Sequence, residues 1–242
     1  MNQALEHKVA IVTGAGRGIG RSIALLLARN GARVALAART ADQLLKVREE
    51  IEALGGEALV VTTDLGVEQD VIALAQQTVE HFGRLDIVVN NAGIGVYGLL
   101  EHATTVQWDA MMNINARGTF LLCRQAIPHL RQHKPSYIVN ITSVVGVKGY
   151  ANQALYSASK HAVMGMSKAL AKEVQKDGIR VHAICPGGVD TDMAGQARPD
   201  LDRSILIQPD EIADVVLFLV TRAGNAVIDQ IDMRRETGTP WA

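Results

Sequence analysis

Tyr156 and Lys160 are the residues whose types and spacing best suit chemistry. On a helix, residues four apart share a face. A phenol has a pKa of about 10, too high for easy proton exchange near neutrality. An ammonium about 4 Å away, at an effective dielectric of about 20, favours the phenolate by roughly 4 kcal/mol. At about 1.36 kcal/mol per pKa unit, that lowers the phenol by roughly 3 units, to near 7. The expectation is a proton donor and acceptor tuned by its neighbour. An ordinary amphipathic helix with an incidental Tyr-x-x-x-Lys is the plain alternative, because the pair alone is a weak motif.

The elements around the pair decide between these readings. Short apolar runs over 8–13, 33–38, 58–62, 85–89, 136–142, 179–184 and 226–233 predict seven strands. Helical patterns over 21–30, 42–54, 67–82, 105–133, 154–176 and 210–222 alternate with them. Strands and helices in this alternation predict an α/β fold: a Rossmann-type, doubly wound parallel sheet with helices on both faces, in a single domain over 1–242. Such sheets bind ligands outside the carboxyl ends of their strands. The motifs of this chain follow strands or lie on the helix after one, so they should converge on one cleft.

Gly14, Gly18 and Gly20 follow the first strand. The spacing departs from strict G-x-G-x-x-G, since Ile19 holds the last glycine position. The physics is shared: glycines let a pyrophosphate approach backbone N–H groups at a helix N-terminus. Gly14, Arg17, Gly18, Ile19 and Gly20 are thus expected to contact a dinucleotide. The acid that usually binds the ribose 2′-OH after the second strand is missing, and Arg39 stands there instead. Arg39, with Arg17 as a second cation, suits a 2′-phosphate and favours NADP(H) over NAD(H).

Composition narrows the partners. Hydrophobic residues make up 48% of 242, enough for a sizeable core. The net charge of -1 gives no support for a nucleic-acid or anionic-membrane partner. No apolar run approaches membrane-spanning length, and the opening residues are polar, without the apolar region of a leader. Cys123 and Cys185 are too far apart in sequence for a metal motif and suit a reducing cytoplasm. His129 and His133 are four apart, but no neighbouring ligand completes a metal site, so a solvated pair is expected. Trp108 and Trp241 are expected to be packing or interface residues.

Taken together, these motifs resemble the short-chain dehydrogenase/reductase family over nearly the whole chain, from Lys8 to about Met193. The resemblance rests on Thr13-Gly14 with Gly18-x-Gly20, Asp64 after the third strand and Asn90-Asn91-Ala92-Gly93. It continues through Asn115, Ser143 ending Asn140-Ile141-Thr142-Ser143, Tyr156 with Lys160, and Pro186-Gly187-Gly188-Val189-Asp190-Thr191. It implies that Tyr156 is the general acid in reduction and the base in oxidation. Lys160 lowers its pKa and bonds the nicotinamide ribose, and Ser143 holds the substrate carbonyl. Asn115 is implied to hold a water that relays protons to Lys160. Asp64 and Leu65 are implied to meet the adenine, Asn90 and the Ala92-Gly93 backbone to line the cofactor channel, and Pro186, Gly188, Val189 and Thr191 to hold the nicotinamide amide.

The tail departs from the pattern, because many members close with a Gly-Gly pair where this chain reads Met233-Arg234-Arg235. The segment at about 192–208 is short and is expected to form a small substrate lid over a fairly open cleft. Pocket walls are expected over 94–99, 144–150 and 188–193, with no cation aimed at a carboxylate apart from Lys148. The leading expectation is an NADPH-dependent reductase of ketones or 3-oxoacyl thioesters. An alcohol or sugar dehydrogenase running oxidatively is the second, and a non-catalytic nucleotide sensor a remote third. Apolar and small residues on the helices at about 105–130 and 154–176 predict a homodimer or homotetramer built on them.

Overall fold

The structure is a computed structural model that describes residues 4–197 and 202–240. Seven parallel strands form one sheet: β1 (Val9–Thr13), β2 (Arg33–Ala38), β3 (Ala58–Thr62), β4 (Ile87–Asn90), β5 (Ser136–Ile141), β6 (Ile179–Pro186) and β7 (Gln230–Met233). Their order is β3-β2-β1-β4-β5-β6-β7. The chain reverses direction across the sheet between β1 and β4, and a cleft opens there, at the strands' carboxyl ends.

All of β1 and β5 is buried, as near-continuous apolar runs covered on both faces require. Successive β1 side chains serve opposite faces. Ala10 and Val12 pack with α1 (Gly18–Arg29), α2 (Ala41–Ala53) and α8 (Pro209–Thr221). Val9 and Ile11 pack with α3 (Glu68–Phe82), α5 (Gly118–Leu130) and α6 (Ala154–Val174). At the opposite edge from the cleft, buried Asp86 accepts from Lys8 Nζ at 3.0 Å, Arg84 Nη2 at 2.7 Å and the Val9 N–H at 3.0 Å. That knot joins the lower ends of β1 and β4.

Several boundaries differ from the sequence reading. α1 begins at Gly18, inside the glycine loop, rather than near Arg21. The single helix expected over 105–133 is three pieces: α4 (Thr105–Met111), a π-helical turn (Met112–Arg117) and α5. The 226–229 stretch is a loop that Arg180 helps hold, donating to the Arg222 and Gly224 carbonyls. The expected lid begins as α7 (Asp192–Ala197), and its end returns to pair with the loop after β6. There Asp190 N donates to Ile207 O at 2.8 Å, and Ile207 N to Gly188 O at 3.1 Å. Residues 198–201 of the lid, and Trp241, lie outside the described residues.

Candidate active site

Gly14 and Gly18 have φ of +66° and +52°, which a side chain would strain. A Cβ on Gly20 would lie 2.2 Å from the Gly14 carbonyl oxygen, so only glycine lets α1 sit this close to the strand before it. Gly20 therefore packs the loop rather than lining the cleft. Arg17, the N-cap residue of α1, makes no side-chain cap, and the first turn carries no acid. The leading N–H groups thus lack a side-chain acceptor at the positive end of the helix dipole. Thr40 likewise leaves the start of α2 uncapped. Arg39 precedes it at the end of β2, and no acceptor among the described residues engages its side chain. These features fit a dinucleotide that carries an additional phosphate at the β2 end.

One cleft of about 1300 Å³ gathers sixteen of the nineteen expected site residues. Gly20, Asn90 and Asn115 stand behind its wall. Asn90 is a correction: its side chain does not line the channel. Asn90 faces Asn140 in the β4–β5 register and donates to Asn140 Oδ1 at 2.8 Å. Asn140 in turn donates to Ser167 Oγ on α6 at 2.8 Å, so the three form a buried polar tie between sheet and helix. Arg17 is a second correction. It donates to Asp192 at 2.6 Å, across to α7, rather than turning toward Arg39. Both partners are largely exposed, so the pair closes the loop over the cleft without adding much stability.

Asn115 sits in the π-helical turn. Its amide clamps the Ile94 backbone at both atoms, accepting from N at 2.8 Å and donating to O at 2.9 Å, and it also donates to Ser159 Oγ at 3.0 Å. The side chain thereby sets the loop after β4, and its amide is not offered to Lys160. Asp64 caps its own turn, accepting from Gly66 N at 2.8 Å, while Leu65 lies against Gly118. A Cβ on Gly93 would lie 3.6 Å from Lys160 Nζ, narrowing the channel at that point.

The catalytic pair itself differs from expectation in one respect. Lys160 is buried, and its Nζ donates to the Ile141 carbonyl at 3.0 Å, 5.8 Å from the centre of the Tyr156 ring. Burial instead dominates both groups. It pushes the Tyr156 phenol up, helped by Tyr97 edge-on at 5.9 Å and opposed by the Ser143 hydroxyl. It pulls Lys160 down to about 8, opposed by Cys185. Ser143 caps a turn after β5, and its Oγ reaches the Pro186 carbonyl at 3.4 Å, linking it to the loop after β6. Thr191 Oγ1 accepts from Ala194 N at 3.4 Å and so opens α7.

Two groups of site residues, Thr13 and the tail after β7, escaped sequence reasoning, whereas Tyr97 falls within the pocket wall expected over 94–99. Thr13 Oγ1 accepts from the backbone N–H groups of Asn91 at 3.0 Å and Ala92 at 3.1 Å, which shapes the channel floor. Tyr97 lines the cleft beside Tyr156. The tail over 232–235 and 238–240 also lines the cleft. The rule that ligands gather at strand ends, applied to β7 as to the others, points to that tail. Among the described residues no three His, Cys, Asp or Glu side chains gather as a metal site would need. Both cysteines are buried thiols.

A large cleft at the switch point of a doubly wound sheet, lined by a glycine loop and by a tyrosine, lysine and serine, is the site of a nicotinamide-dependent oxidoreductase. The chain belongs to the short-chain dehydrogenase/reductase family: a family profile described as short chain dehydrogenase matches residues 8–202. It is 34% identical over 236 residues to a 3-oxoacyl-(acyl-carrier-protein) reductase of Thermotoga maritima, covering 94% of this chain and 96% of that protein. Among solved structures it resembles a metagenomic short-chain oxidoreductase in complex with NADP, with TM-score 0.85, 37% identity, and coverage of 96% and 99%. An archaeal alcohol dehydrogenase from Thermococcus sibiricus, complexed with 5-hydroxy-NADP, matches with TM-score 0.90, 29% identity, and coverage of 97% and 99%.

Proposed function

We propose that this enzyme is an NADPH-dependent carbonyl reductase that acts on a ketone or a 3-oxoacyl thioester. The observation that carries the reading is the single cleft, with Arg39 and two uncapped helix starts at one end and Tyr156, Lys160 and Ser143 at the other. Reduced nicotinamide, when bound, supplies a hydride. The chain's own residues manage the proton and the charge. Ser143 Oγ and Tyr156 Oη donate hydrogen bonds to the carbonyl oxygen, and Tyr156 gives up its proton as that oxygen becomes an alkoxide. A phenol held up by burial is fully protonated at neutral pH, which suits an acid in reduction better than a base in oxidation. Lys160, below its usual range yet still largely charged near pH 7, stabilises the tyrosinate left behind. Tyr97, edge-on to Tyr156, closes one side of the space around the phenol. Oxidation of an alcohol by the same groups is the reverse reading, and the likeness to an alcohol dehydrogenase keeps it in view. A panel of ketones and acyl thioesters, read by NADPH absorbance, tests the proposal; no turnover on any of them would refute it.

Arg39 carries the cofactor preference. Charge-assisted contacts to a phosphate contribute about 1.5–3 kcal/mol, or roughly 10- to 100-fold in binding. Arg39→Ala is therefore expected to raise the NADPH KM by about that factor and leave the NADH KM nearly unchanged. An equal loss with both cofactors would remove the 2′-phosphate assignment.

The reading also places the enzyme in the cytoplasm as a homodimer or homotetramer. No described helix is long and apolar enough to cross a membrane. On α6, Ala162, Gly165 and Ala169 are exposed while Val163, Leu170 and Val174 face the core. Nothing lies within 4 Å of where a Gly165 side chain would begin. Trp108 and Phe120, on α4 and α5, are 43% and 45% exposed. These faces suit close helix–helix contact between copies. Light scattering is expected to give at least twice the mass of one chain, and Gly165→Arg to lower both mass and activity. An active monomer would overturn the assembly.

A further inference from the structure

We propose that Arg235, on the tail after β7, binds an anionic group of the substrate, so that the preferred substrates are carbonyl compounds bearing a carboxylate or phosphate. The inference rests on the carbonyl-reductase reading and adds the chemical class of its substrate.

Topology assigns Arg235 to the reactive end of the cleft. Arg39 follows β2 and Arg235 follows β7, five strand spacings apart in the sheet order. At about 4.8 Å per strand that is roughly 24 Å, too far for both cations to serve one 2′-phosphate. Ser143 follows β5, and its hydroxyl bonds the Pro186 carbonyl at the end of β6. Gly187 N then donates to Met233 O at 2.7 Å, which seats the tail directly against the same loop. A Cβ on Gly188 would lie 3.7 Å from Arg235 Cδ and 4.0 Å from its Nε. The guanidinium stem therefore lies beside the Gly188 backbone.

The tail is braced in that position. Arg234 Nη1 donates to the carbonyls of Arg235, Glu236 and Gly238 at 3.0, 2.9 and 3.1 Å, and Gly238 N returns to Arg235 O at 2.9 Å. Arg234 is thus consumed in folding the turn, whereas Arg235 is half-buried with no acceptor among the described residues. Two ion pairs engage other charges at this end, while Asp232 meets only a neutral amide. Arg203 pairs with Asp190, Asp192 with Arg17, and Asp232 accepts from Gln230 at 2.9 Å. Lys148, exposed on the rim, adds a second positive charge to the same cleft. A half-buried guanidinium is strongly driven to find an anion, and its fork matches carboxylate and phosphate oxygens.

The test compares 2-oxo and 3-oxo carboxylates with their methyl esters, alongside a phosphate-bearing ketone, in the wild type, Arg235→Gln and Arg235→Lys. The wild type is expected to prefer the anion over the ester in kcat/KM. The glutamine variant should cut that ratio about 10- to 100-fold, and lysine should retain part of it. The carboxylate and phosphate arms show which anion fits. No anion preference in the wild type, or a ratio unchanged in the glutamine variant, overturns the proposal. A second readout needs no turnover: titrating the NADP-loaded enzyme with malonate should show at least tenfold weaker binding in Arg235→Gln. Equal binding overturns the Arg235 site, whereas failure to reduce any carbonyl while malonate binding stays Arg235-dependent overturns the reductase reading alone.

Discussion

Replacing Tyr156 with Phe is expected to abolish turnover while NADPH binding stays close to wild type. The substitution removes one hydroxyl and keeps the ring, so the edge-on contact with Tyr97 survives. The glycine loop, Arg39 and the Ile94 clamp are untouched, because none of them bonds the phenol. What disappears is the proton for the developing alkoxide, and positioned general acids contribute about 10²–10⁴ in rate, with the hydroxyl's oxyanion stabilisation adding to that. Stopped-flow fluorescence for NADPH binding and steady-state kinetics for turnover separate the two effects. Wild-type kcat in the phenylalanine variant would show that Tyr156 is not the proton donor.

Much of this site was legible because its determinants are local. The Tyr156–Lys160 spacing, the glycines after a buried strand and the missing acid at Arg39 are properties of short stretches. The buried strands were equally plain, since β1 is apolar from Val9 to Val12. What escaped depends on tertiary geometry. The spacing puts Lys160 on the right face of α6, but the Ile141 carbonyl on β5 decides where its ammonium rests. Asn90 turned inward because the parallel register sets it opposite Asn140. Arg17 found a carboxylate 175 positions away. The π-helical turn has no periodic signature, as one wide turn inside an apolar helix leaves the spacing around it nearly intact.

Lys160→Met is expected to abolish or nearly abolish turnover and yet make the protein more resistant to urea at neutral pH. The lysine is 5% exposed, and burial holds its pKa near 8 against a usual value of 10.5. At about 1.36 kcal/mol per unit, the folded state below pH 8 carries a cost of up to roughly 3 kcal/mol for that charge. The unfolded chain binds more protons than the folded one between those two values, so wild-type stability rises with pH across that window. The advantage of the methionine variant is therefore full below about pH 8 and fades toward pH 10.5. In the wild type, kcat/KM for reduction should fall above about pH 8, as the ammonium that supports the tyrosinate loses its proton. Urea melts at pH 7 and pH 10 check the stability sign. A methionine variant less stable than wild type at pH 7 would show that the ammonium's bond to Ile141 outweighs its desolvation. Active sites commonly hold groups that cost stability in this way.

The strand order also sets a timetable for synthesis. β1 pairs with β2 on one edge almost at once, but its other edge pairs with β4, where Ala10 meets Ile87. A nascent chain elongating at about 5–20 residues per second therefore leaves the apolar second edge of β1 unpaired for roughly 4–15 seconds. Open strand edges template intermolecular pairing, so the chain is exposed to it during this interval. The Lys8–Asp86–Arg84 knot forms at the end of that interval, just as β4 arrives. It then ties the amino ends of the two strands together through the buried Asp86 carboxylate.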